Sequence, residues 1–119
     1  MSNLIGRFYL KLTDSKNLIG EFSNNILTRN YTESADRISP KPEDPTNADG
    51  CKFIGKYFTT WHEEVGHECV LAELEIKQKT GCENIYSLEW QIDRKINYWG
   101  EGMVCDGMLI GDYRNFPNP

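Results

Sequence analysis

No run of apolar residues in this chain reaches the roughly 18 that cross a bilayer as a helix. The amino terminus lacks the basic start, apolar stretch and small-residue cleavage site of a secretory signal. Both absences direct the reading to a cytoplasmic protein away from membranes. Positive charge is in the minority, with 13 Lys and Arg against 18 Asp and Glu and a net charge of −5. The basic residues are scattered among acids rather than gathered. Nucleic acid is therefore not an expected partner, because phosphates reward clustered cations.

The four cysteines, Cys51, Cys69, Cys82 and Cys105, contain no Cys-x-x-Cys spacing. That excludes a zinc knuckle and a thioredoxin-like centre. A chain of 119 residues buries a core without staples, so reduced, structural thiols are the expectation. The stretch HEEVGH at His62–His67 misses the zinc-protease pattern by one residue. That motif needs histidines four apart so that both project from one helix face. Five apart, with Gly66 between them, they are expected to flank a hairpin turn. Gly-x-Ser-x-Gly and phosphate-cradling glycine loops are also missing. No metal, cofactor or catalytic residue is assigned.

What is present is alternation. Val70, Ala72, Leu74 and Ile76 fall on one face of an extended segment, with Glu73, Glu75 and Lys77 on the other. Tyr86, Leu88, Trp90 and Ile92 repeat the pattern against Ser87, Glu89 and Gln91. Turn signals fall at hairpin spacing, around residues 13–17, 63–66, 79–83 and 93–95. The strongest is Asp106-Gly107, which suits a type I′ turn because both central residues need positive φ. No segment reads as a clear helix, and residues 25–38 fit either a strand or a single helical turn.

One phrase recurs four times: LIGRF from Leu4, LIGEF from Leu18, FIGKY from Phe53 and LIGDY from Leu109. In a strand its first, third and fifth residues share a face, leaving the Ile and the charge outside. Glycine inside a strand weakens it unless the chain must bend or be approached closely, and a neighbouring aromatic can cover the bare site. Gly6, Gly20, Gly55 and Gly111 therefore read as coiling points of a small curved barrel.

The fold expected is all-β, an antiparallel up-and-down meander closing into a seven- or eight-stranded barrel. It forms a single domain over residues 1–119, with an irregular Pro-rich loop at 39–51. A two-sheet sandwich competes, but its crossovers need longer connections than most of these. Gly6-Arg-Phe8 and Gly55-Lys-Tyr57, together with residues 99–103 and 106–113, resemble the calycin group of small barrels, the lipocalins and avidins. Phe or Tyr stands here where lipocalins usually carry Trp, and no avidin-like biotin-contact motif is matched. The resemblance implies a barrel with a ligand cavity and names no ligand.

The functional reading is binding of a small, partly apolar molecule in an aromatic-lined barrel cavity. The expected ligand-binding residues are Tyr57, Thr59, Trp61, Tyr86, Trp90 and Glu101. Asn24, Asp112 and Arg114 are further polar candidates, and either Tyr98 or Trp99 must face outward. Glu101 stands between Gly100 and Gly102, and alternation leaves its face open because a bulge there would reverse it. Two alternatives stand beside this reading. One is a barrel cyclase or isomerase using Glu101 or Asp112 as acid or base. The other is a filled barrel acting as a homo-oligomeric interaction module through Ile54, Phe58 and Trp99.

Overall fold

Eight strands follow one another around the molecule: β1 (Ile5–Leu12), β2 (Leu18–Asn24), β3 (Tyr31–Arg37), β4 (Gly55–His62), β5 (Cys69–Gln78), β6 (Tyr86–Ile92), β7 (Lys95–Cys105) and β8 (Met108–Asn115). Each pairs antiparallel with the next, and β1 also pairs with β8, so the sheet closes on itself. This computed structural model describes residues 4–27, 29–38, 52–62, 68–81 and 83–115. The expected turn at 63–66, His67, the loop at 39–51, Cys51 and Cys82 lie outside the described residues. The β1–β8 closure selects the barrel over the sandwich. Within residues 25–38, Tyr31–Arg37 form a strand rather than a helical turn.

The alternation in the sequence becomes the inside and outside of the wall. Leu74, Ile76, Leu88 and Trp90 point in and are buried, whereas Glu73 and Lys77 stay exposed. Asp106 and Gly107 take φ of 58° and 78°, and Asp93 and Arg94 take 51° and 67°, as type I′ hairpins require. A bulge follows Trp90. Trp90 faces Tyr98 and Gln91 faces Ile96, so Asn97 has no opposite number. Tyr98 turns inward and Trp99 outward.

The repeated phrase acts across strands rather than along one. Gly6 lies opposite Tyr113, and Phe8 lies opposite Gly111. The first and last copies thus interlock antiparallel, with Tyr113 of the last copy covering Gly6 of the first. A Cβ on Gly6 would sit 2.2 Å from the Tyr113 ring, and one on Gly111 would sit 2.0 Å from the Glu101 carbonyl oxygen. The isoleucines of three copies, Ile5, Ile19 and Ile110, lie on the outer surface, as the phrase predicts.

The two halves of the barrel differ. Near the β1–β2, β5–β6 and β7–β8 turns, Leu10, Leu18, Leu74, Ile76, Leu88 and Leu109 are fully buried. Each such side chain contributes about 1.5–3 kcal/mol of burial free energy. Phe53 plugs this end, and Tyr57 donates its hydroxyl hydrogen to the Phe53 carbonyl at 2.7 Å. Arg37 seals it. Its guanidinium donates to the carbonyls of Lys16 (3.0 Å), Ile54 (3.0 Å) and Lys52 (2.7 Å) and lies 4.8 Å from the centre of the Tyr57 ring. Burial pushes the Tyr57 phenol up to about 12 despite Arg37.

Candidate functional site

Among the described residues the opposite end of the barrel is not filled. There a cavity of about 220 Å³ opens between the ends of the strands. That is below the roughly 300–1,000 Å³ of pockets for drug-sized molecules, which suits a smaller ligand.

Its walls are aromatic: Phe8, Phe22, Trp61, Trp90, Tyr98 and Tyr113. Period two places each ring inside, and the strands carry them at similar heights. Phe22, Trp61, Tyr98 and Tyr113 form a closed circuit of ring contacts, with neighbouring centroids 6.0–6.3 Å apart and planes 73–83° apart. Trp90 extends the circuit inward, contacting Tyr113 at 5.9 Å and Phe8 at 5.6 Å. Edge-to-face packing of this kind lets large side chains share a space while holding one another in place.

One carboxyl stands among these rings. Glu33, on β3, is 5% exposed and lines the cavity. Its Oε2 accepts from the Thr59 hydroxyl at 2.5 Å and from the Trp90 indole Nε1 at 2.9 Å. Among the described residues no hydrogen bond reaches Oε1, and no fully enclosed side-chain polar atom lacks a partner. Oε1 therefore faces the cavity. Burial raises the Glu33 pKa above the ordinary carboxylate value, with the Thr59 and Trp90 hydrogen bonds opposing the shift. Among the described residues no Lys or Arg lines the cavity.

Asn24 organises the mouth. Its Oδ1 accepts from the backbone N–H groups of Ile26 (2.9 Å) and Leu27 (3.0 Å), folding the β2–β3 connection over the opening. Its Nδ2 donates to the Tyr113 hydroxyl at 2.9 Å. Leu4, Ile26, Leu27 and His62 complete the rim.

Of the residues expected from sequence, Trp61 and Trp90 line this cavity, and Thr59 supports it through Glu33. Tyr57 and Tyr86 face inward but lie in the filled half, buried in the core. Glu101 points outward and pairs with Lys79 at 2.9 Å. Asp112 and Arg114 are exposed on β8. Phe58 and Trp99 are exposed on the outer wall, while Ile54 packs against the core. Cys69 and Cys105 are free and exposed. No group of three or more His, Cys, Asp or Glu among the described residues is placed to hold a metal. No helix among them is long and apolar enough to cross a membrane.

Sequence reasoning passed over Glu33. The available signal was period two across TESAD, which puts Glu33 on the same face as Ala35. A scan of known protein families, a search of curated proteins and a search of solved structures each found no match.

Proposed function

We propose that this protein binds a small, partly apolar molecule in the open-end cavity. Trp61, Trp90 and the neighbouring rings hold its carbon skeleton, and Glu33 fixes its polar group. One observation carries the reading: among the described residues a single buried carboxyl presents an oxygen without a hydrogen bond to a cavity walled by six aromatic rings. Burying a carboxyl with one oxygen left to the cavity costs stability, so its retention there supports a role toward a ligand. A second observation favours binding over chemistry at the sequence-predicted acids, since Glu101 and Asp112 lie on the outer wall away from the cavity.

The calycin relationship is part of this proposal. It is supported by the closed antiparallel meander and by glycine–aromatic pairs at the first strand. Fold alone does not carry function, so the binding reading stands on the cavity.

Native mass spectrometry of freshly purified protein, joined to thermal melts against a broad metabolite panel, tests it. A ligand that binds only the folded state raises the melting temperature with concentration. A retained small mass or a saturable rise supports the reading. A bare mass with a flat panel overturns it.

A further inference from the structure

We infer that the ligand is a small organic cation, an alkyl- or arylammonium, whose charge meets Glu33 Oε1 and whose carbons lie against Trp61, Trp90 and the surrounding rings. The inference rests on the binding reading above and narrows it to a chemical class.

Three classes of occupant are distinguished by what they do to Glu33. An anion would bring like charge beside the carboxyl, with no Lys or Arg among the described lining residues to offset it. A neutral apolar molecule would strip water from Oε1 and return nothing, leaving a buried acceptor unsatisfied. An ammonium donates to Oε1 while its charge is attracted to the negative faces of the rings. The attraction operates within about 6 Å of a ring centroid. Neighbouring centroids in the wall are only 6.0–6.3 Å apart, so a charge seated on one ring lies near the next. Thr59 and Trp90 both donate to Oε2 and hold the carboxyl in place before any ligand arrives. A site already in its bound geometry loses less freedom on binding.

The charge balance adds a signature. Burial favours the protonated form of the empty Glu33, and a bound cation favours the ionised form. Binding therefore releases a proton in the pH range where empty Glu33 is protonated, and affinity rises with pH through that range. Among the described residues, the other titratable groups facing the cavity are His62 on β4, Tyr98 on β7 and Tyr113 on β8. Of these only His62 has a cationic form, which at the rim would repel a cation. The lining residues from β1, β2 and β6 carry no ionisable side chain.

Calorimetric titration of the full chain with four probes sharing one ring tests the inference: benzylammonium, benzyltrimethylammonium, benzyl alcohol and benzoate. At least one cation should bind tighter than benzyl alcohol by about tenfold or more, with benzoate weakest. Its apparent enthalpy should change with the ionisation enthalpy of the buffer, reporting proton release. Glu33→Gln should remove the preference for cations and the proton release while benzyl alcohol still binds. His62→Asn removes the rim imidazole, and a preference for cations lost with it would overturn the assignment to Glu33. Benzyl alcohol or benzoate binding as tightly as the cations overturns the cation assignment and leaves the cavity reading standing. Silence from all four, together with a flat metabolite panel, overturns both. The ranking on the native protein decides the matter even if Glu33→Gln does not fold.

Discussion

The Trp90 indole donates to the same carboxylate oxygen of Glu33 that receives the Thr59 hydroxyl, at 2.9 and 2.5 Å. Glu33 is on β3, Thr59 on the adjacent β4 and Trp90 on β6, so this contact reaches across the barrel interior. It fixes the carboxyl through one oxygen and leaves the other to the cavity. Burying an ionisable group costs stability, and the hydrogen bonds recover only part of that cost.

Glu33→Gln tests this cost. The amide oxygen can accept from both donors, Thr59 and Trp90. Glu33 has a raised folded pKa, so its contribution to stability is greatest below its unfolded value, near 4.5, and falls as pH rises through the folded value. Gln does not titrate. In urea unfolding without ligand, the variant should gain on the native protein as pH rises from 4 to 8. An equal difference at both ends would mean that Glu33 is not held in a costly environment.

Thr59→Val keeps the shape and removes one donor to Glu33 Oε2. The loss should cost about 1–3 kcal/mol in denaturant unfolding. It should also move the Glu33 titration upward, followed by its carboxyl carbon resonance, because hydrogen bonds donated to a carboxylate favour ionisation. An unchanged titration would show that Thr59 does not hold the carboxyl.

Arg37→Met probes the other end. The substitution leaves three carbonyls without their charged donor and removes the cation from the Tyr57 ring. A loss of at least about 2 kcal/mol is expected, with little change in affinity for any probe that enters the open end. A large loss of affinity would show that the ends are coupled.

Gly111→Ala places a methyl 2.0 Å from the Glu101 carbonyl, a backbone atom that cannot step aside. Its cost should reach several kcal/mol, as overpacking does when the backbone must move. The neighbouring surface change Asp112→Asn should stay within about 0.5 kcal/mol. Similar denaturation midpoints for the two would remove the close approach of β7 and β8 as the reason for this glycine.

The barrel was legible because its rules are local. Alternation in β5 and β6, Asp106-Gly107, and the recurring glycine–aromatic phrase each act over a few residues and agree with one another. The candidate site was legible in part. Alternation tells which way a side chain points but not how high it sits along the barrel axis. Trp61 and Trp90 therefore read the same as Tyr57 and Tyr86, although the first pair lines the cavity and the second packs the closed half. Glu33 was hidden because β3 carries few apolar residues, and a charged residue between Thr32 and Ser34 reads as surface. Its burial depends on Thr59 and Trp90, which are 26 and 57 residues away in sequence. Glu101 could not be oriented from its flanking glycines, and outward pairing with Lys79 answers the question.

The three tryptophans provide the most direct test of the central claim. Trp61 and Trp90 line the cavity, whereas Trp99 is on the outer wall. Indole ¹⁵N–¹H resonances should be followed while the benzyl probes are titrated into labelled protein. The account predicts that Trp61 and Trp90 shift together and saturably while Trp99 holds still. Stationary Trp61 and Trp90 signals at millimolar probe, or shifts confined to Trp99, would contradict it.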